Sequence, residues 1–204
     1  MSKKPVIVFE GIEGSGKSFH SNNLSNYLKK KKISFIKLRE PGGSINSEKI
    51  RKLILSNKSN FNSNTDLLLY LAARSENIVN LKKNYKKKVI IIDRFSDSTL
   101  AYQHFGMGIN ESFIKTLNKY IIENFKVDFT FLNTVNKSNM IKRLKSRKKL
   151  NRYDKFHIDF YSRVQKGYLK ISKINKNKYQ IIDSNVDIKK NKELVIKKVD
   201  QLLK

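Results

Sequence analysis

Gly11-Ile12-Glu13-Gly14-Ser15-Gly16-Lys17-Ser18 decides how this chain is read, because it satisfies G-x-x-x-x-G-K-[ST] in full. Just upstream, Val6-Ile7-Val8-Phe9 is a short all-apolar run ended by glycines, as a buried parallel strand would be. Just downstream, residues 18–31 have helical spacing. A strand, a glycine-rich turn and a helix in that order form a phosphate-binding loop. Glycine lets the backbone curl so that its N–H groups point at a phosphate, and the helix N-terminus adds a favourable dipole. Gly11, Glu13, Gly14, Ser15, Gly16, Lys17 and Ser18 are therefore the candidate ATP cradle. Within it, Lys17 is expected to reach the β- and γ-phosphates, and the Ser18 hydroxyl to bind Mg²⁺. The motif establishes use of a nucleoside triphosphate without separating kinase, GTPase and motor.

The pattern continues outward as alternating strands and helices. Strands are predicted at 33–38, 89–92, 127–132 and 179–182. Helices are predicted at 45–56, 65–84, 96–104, 111–124, 137–147, 156–174 and 188–203, with Asn64 or Thr65 as N-cap of the second of these. Five strands separated by helices imply an α/β fold of three layers, a parallel five-stranded sheet with helices on both faces. Ligands then bind at the carboxyl ends of the strands. No repeat or linker divides the 204 residues, so one domain is expected over 1–204. Residues 148–155, rich in charge and poor in apolar side chains, read as a loose loop within a mobile lid at about 143–155.

Composition narrows the classes. No apolar run approaches the ~20 residues of a membrane span, and Met1-Ser2-Lys3-Lys4-Pro5, leading into a short apolar run followed by glycines, is not expected to open a signal peptide. The chain has no cysteine, which removes disulfides and thiolate metal sites and suits a reducing cytoplasm. A net charge of +27 could mark a nucleic-acid-binding ATPase, but the lysines are spread along the chain, so no specific nucleic acid is expected. Arginine behaves differently. The chain has eight: Arg39, Arg51, Arg74, Arg94, Arg143, Arg147, Arg152 and Arg163. Where lysine serves as the generic cation, arginine points to sites that need a planar, bidentate group. His20, His104 and His157 fit no triad or metal spacing and read as structural or surface residues.

Asp93 closes the strand Val89-Ile90-Ile91-Ile92 and is followed at once by Arg94. A carboxylate there would lie beside the phosphate loop and help order Mg²⁺, and the neighbouring arginine suits a phosphate acceptor. Four further segments, in order, resemble the thymidylate kinase family, with Phe9–Gly14 as its first strand and phosphate loop. They are Arg39-Glu40-Pro41-Gly42-Gly43, Tyr70-Leu71-Ala72-Ala73-Arg74, Asp93-Arg94-Phe95, and Ser98-Thr99-Leu100-Ala101-Tyr102-Gln103. The resemblance covers roughly the first half of the chain and weakens through residue 168.

That resemblance implies a P-loop kinase fold and transfer of the γ-phosphoryl group of ATP to dTMP, with Mg²⁺, giving dTDP and ADP for dTTP synthesis. It implies that Arg74 bonds a thymine carbonyl while Tyr70 stacks on the ring. It implies that Ser98 and Thr99 reach the base with Gln103 nearby, and that Tyr102 packs where a 2′-hydroxyl would sit. Arg94 would hold the acceptor phosphate, with Arg39 or Arg51 as candidates that could equally be structural ion-pair members. Glu13 would sit near that phosphate, assisting Mg²⁺ or positioning an arginine. The phosphate loop contains no basic residue between Gly11 and Gly16. The catalytic arginine is therefore expected from the lid, Arg147 or Arg152 first and Arg143 third. A homodimer is also implied. The alternatives are another P-loop nucleotide or nucleoside kinase and, in a different class, the basic nucleic-acid-binding ATPase. Asn136-Lys137-Ser138-Asn139 lacks the carboxylate that would read guanine and is discounted.

Overall fold

In the computed structural model, which describes residues 4–204, β1 (Val6–Gly11) is buried along its whole length. Its side chains alternate between two cores, so Val6–Phe9 are all apolar rather than every second one. Ile7 and Phe9 pack with Leu24 and Leu28 of α1 (Lys17–Lys30) and with Val195 and Val199 of α8 (Ile188–Leu203). Val6 and Val8 face the opposite way, toward Ile78 and Leu81 of α3 (Ser63–Asn84). The remaining strands are β2 (Phe35–Arg39), β3 (Val89–Asp93), β4 (Phe129–Thr134) and β5 (Tyr179–Asp183). All pair in parallel in the order β2-β3-β1-β4-β5. The expected three-layer α/β architecture is the one found. No helix among the described residues is long and apolar enough to cross a membrane. The reading of the N-terminus falls partly on Met1–Lys3, outside the described residues.

The other helices are α2 (Ile45–Leu55), α4 (Ser96–Thr99), α5 (Glu111–Ile122), α6 (Lys137–Lys145) and α7 (Ile158–Ile174). Side chains cap several of them. The N-cap of α3 is Asn62, whose side chain accepts from Thr65 N, rather than Asn64 or Thr65. The strand expected from Val127 begins at Phe129, because Asp128 is occupied in accepting from the Val6 amide. The helix expected over 96–104 divides into α4 and a π-helical segment, Leu100–Gly106.

Asn136 caps α6 by accepting from Asn139 N, so the Asn-Lys-Ser-Asn sequence is a helix start. Residues 148–155 are only partly the loose loop expected. A 3₁₀ turn at Arg152–Lys155 carries a capping box between Asn151 and Asp154, and Tyr153 is buried among Tyr70, Tyr102 and Phe156. One aromatic residue in a charged stretch anchors it.

The π-helical segment carries Tyr102 and Gln103, and its seat on α7 depends on two glycines. Phe160 of α7 lies where a Cβ on Gly106 would come within 2.7 Å of it. Phe105 likewise lies within 2.4 Å of a Cβ built on Gly167. Each helix thus inserts a ring over the other's glycine. Gly167→Ala is expected to destabilise the protein by about 1–3 kcal/mol through overpacking. Thermal unfolding checks this, and an unchanged Tm would contradict the interlock.

Candidate active site

The strand register brings the functional side chains to one edge of the sheet. Phe9 and Arg39 are both in register with Asp93, so the carboxyl ends of β1, β2 and β3 lie side by side. Gly11 makes the first turn of the phosphate loop at φ 139, pressed so closely on β4 that a Cβ would lie 2.2 Å from the Asn133 carbonyl oxygen. Gly16 precedes α1 in the left-handed conformation, with no side chain capping the helix. The first amides of α1 therefore keep their donors for an anion. Ser184 Oγ bonds the Ser15 carbonyl at 2.5 Å. Arg143 braces the loop from α6, with Nη1 on the Gly14 carbonyl (2.8 Å) and Nη2 on the Ser184 carbonyl (2.7 Å).

Lys17 folds back so that Nζ donates to the Ile12 carbonyl at 2.8 Å. Burial, followed by the nearby Arg94 cation, lowers its pKa to about 8, against the opposing pull of Asp93 and Glu13. Ser18 Oγ lies 2.6 Å from Asp93 Oδ2. These two hard oxygen donors, one on the loop and one on β3, suit Mg²⁺ shared with phosphate and water. Among the described residues, no group of three or more His, Asp or Glu side chains forms a protein-only metal cage.

Beside the loop opens a cavity of about 200 Å³. Five of the eight arginines line it: Arg39, Arg51, Arg74, Arg94 and Arg147. It is smaller than the roughly 300–1,000 Å³ of most small-molecule sites. Arg94 is the most tightly held. Its Nη1 donates to the Gly11 carbonyl (2.9 Å) and to Tyr168 Oη (3.2 Å), its Nη2 to Glu13 (2.8 Å), and its plane lies 5.0 Å from the centre of the Tyr102 ring. Glu13 also accepts from the Tyr102 hydroxyl. Glu13 therefore positions Arg94 and Tyr102 together.

Arg74 is almost wholly buried. Nε donates to Glu40 (2.8 Å), and Nη1 to Thr99 (2.8 Å) and Asn118 (2.6 Å). Burial raises the Glu40 pKa and Arg74 opposes the rise. Tyr70 stands one helical turn from Arg74, edge-on to Tyr153. Gln103 is buried on the cavity wall with Nε2 unpartnered.

Ser98 and Thr99 line the same wall, but their hydroxyls are engaged inside the protein, Ser98 on Glu10 at 2.6 Å and Thr99 under Arg74. Arg39 pairs with Glu48 at 3.1 Å and is half exposed, and Arg51 donates to the Pro41 carbonyl at 2.5 Å. Arg147 lines the cavity while paired to Asp154. Arg152 does not line it: the side chain turns to Asp66 and the Ile54 carbonyl, in a separate cleft.

His20 is buried, which lowers its pKa. His104 bonds the Ile109 carbonyl at 2.7 Å, and His157 caps α7. Sequence reading missed Glu10, Asn118, Asp66 and Tyr168. Of these only Glu10, a charge ending an apolar strand, carries a visible signal.

A parallel sheet with a phosphate loop on its central strand, facing an arginine-lined cavity for a small anion, defines a P-loop phosphotransferase. The thymidylate kinase family model matches residues 9–195. A thymidylate kinase of Thermosipho africanus is 40% identical over 184 residues, covering 89% of this chain and 90% of that protein. One of Kosmotoga olearia is 33% identical over 193 residues, covering 94% and 93%. The crystal structure of thymidylate kinase from Ehrlichia chaffeensis superposes with a TM-score of 0.78 at 33% identity, covering 96% and 98%. The chain belongs to the thymidylate kinase family.

The lowered Lys17 pKa has a measurable consequence. A phosphate anion beside Nζ would favour the charged ammonium, so ATP affinity is expected to be full well below pH 8 and to fall as Lys17 loses its proton in the free protein above about pH 8. Calorimetric titration with a non-hydrolysable ATP analogue between pH 6.5 and 9.5 checks the drop; a flat profile would contradict it.

Proposed function

We propose that this chain transfers the γ-phosphoryl group of ATP to the phosphate of dTMP, giving dTDP and ADP. One observation carries the choice of acceptor. Tyr70, Arg74 and the unpartnered amide of Gln103 line the same cavity as Arg94, with Arg74 fixed from behind by Glu40, Thr99 and Asn118. Arg74 Nη2 makes none of those bonds and serves a pyrimidine carbonyl, while Tyr70 stacks on the ring. Tyr102, held by Glu13, closes the space beside the sugar and favours deoxyribose.

The acceptor is already an anion, so catalysis rests on positioning and on stabilising spread charge. Loop amides and Lys17 hold the donor phosphates, and Arg94 holds the acceptor phosphate, with Arg39 and Arg51 at the rim. Mg²⁺, when bound by Ser18 and Asp93, offsets charge on the donor oxygens. Residues 143–155 act as a lid that brings Arg147 to the transferred group and excludes water. Arg152 supports the lid through Asp66 rather than touching the reacting atoms.

The assay is turnover with ATP and Mg²⁺ against dTMP, dUMP, AMP, GMP, CMP and thymidine. The highest kcat/KM is expected for dTMP; faster use of another monophosphate, or of thymidine, would reject the reading. Arg147→Ala should lower kcat by roughly 10³-fold with KM for dTMP changed less than about threefold. An unchanged kcat would remove Arg147 from the transition state.

We also propose a homodimer through α3 and α5. Leu68, Ala72 and Val79 on α3, and Phe113 and Tyr120 on α5, are exposed on neighbouring helices. Sedimentation equilibrium should give twice the chain mass, and a monomer at micromolar concentration would sink this proposal.

A further inference from the structure

Glu10 sits at the end of β1 with none of its side chain exposed, between the phosphate loop and the segment that carries the acceptor-binding residues. Its Oε1 accepts from the amides of Phe95 (2.8 Å) and Ser98 (3.2 Å). Its Oε2 accepts from Ser98 Oγ (2.6 Å) and Tyr168 Oη (3.0 Å). Phe95, the N-cap residue of α4, supplies no side-chain cap of its own. Glu10 therefore does the work of an N-cap from a different element, on orphan donors that open α4 and the π-helical segment behind it. Immediately before these donors, Arg94 holds the left-handed backbone conformation at φ 70, which a non-glycine residue keeps only when its neighbours fix it. Tyr168 of α7 completes the link, since its hydroxyl touches Glu10, Ser98 (2.7 Å) and Arg94 Nη1 (3.2 Å).

We infer that Glu10, acting through Tyr168, is a positioning residue for the acceptor site: it fixes Arg94 and the Ser98–Gln103 segment without touching a substrate. The inference rests on the proposal that Arg94 holds the acceptor phosphate. It assigns a purpose to a buried charge that ends an otherwise apolar strand. The carboxylate is the stronger cap, because a charged acceptor binds amide and hydroxyl donors more tightly than a neutral one.

The groups facing Glu10 are Arg94 and Lys17 as cations, Asp97 as the second carboxyl, and the hydroxyls of Ser98, Tyr168 and Tyr179. Burial, then Asp97, raises the Glu10 pKa to about 7, while the Ser98, Phe95 and Arg94 contacts oppose the rise. The ionised cap is thus present above about pH 7 and lost below it.

The experiment is steady-state kinetics of the full chain with dTMP and ATP, comparing wild type, Glu10→Gln and Tyr168→Phe. Glu10→Gln keeps the shape and removes the charge. It should raise KM for dTMP about tenfold while KM for ATP stays within twofold, and it should flatten the fall in dTMP affinity between pH 8 and 6 relative to wild type. Tyr168→Phe should raise KM for dTMP in the same sense, by roughly threefold. Unmoved KM values for dTMP, or equal rises for both substrates, would overturn the inference. If Glu10→Gln does not fold, Tyr168→Phe decides it alone. Wild type run beside them separates the two failures, since a wild type that prefers another acceptor rejects the functional proposal and leaves the variants' shift to be read on that acceptor.

Discussion

The structure depends on where one guanidinium is held. Arg94 lies between the phosphate loop and the arginine-lined cavity, bonded to the Gly11 carbonyl and Glu13 on one side and to Tyr168 on another, with Tyr102 against its face. In the proposed transfer, donor and acceptor phosphates must approach within bonding distance while both are anionic, and a fixed cation between their cradles would offset that repulsion. Arginine suits the position because its fork can bond several fixed oxygens and still present its charge. Glu13 and Glu10 supply opposing carboxylates, one in contact with Arg94 and one behind it.

The same logic explains the split between the two basic residue types. Lysine accounts for most of the +27 charge and is spread along the chain, where it solvates the surface. Arginine is concentrated where direction matters. Five arginines line the cavity, and Arg143 braces the phosphate loop beside it. Pairing with Glu48, Glu40, Glu13 and Asp154 pre-sets four of the cavity arginines at defined angles before any ligand arrives. Such preorganisation is what a positioning mechanism requires, since little covalent chemistry is left to the protein.

Much of this was legible in the sequence because local rules and function coincide there. The apolar run Val6–Phe9 and the glycines after it dictate both a buried strand and a phosphate cradle. Tyr70 and Arg74, one helical turn apart, had to share a face, and they share the cavity. What escaped depends on contacts distant in sequence. Asn118 meets Arg74 across 44 residues, and Tyr168 meets Glu10 across 158. Arg152 reads as an equal of Arg147 by spacing, yet Asp66 on α3 draws it into another cleft. The π-helical segment after Thr99 also has no local signal; it is held by the reciprocal packing of Phe105 and Phe160 on two glycines of facing helices.

The central claim is that a planar, multiply bonded cation at position 94 joins the two phosphate sites. Arg94→Lys tests it most directly, because it keeps the charge and removes the fork. The account predicts a fall in kcat/KM for dTMP of about 100-fold, or about 2.7 kcal/mol of lost transition-state stabilisation. A lysine variant that turned over dTMP at the wild-type kcat/KM would contradict it.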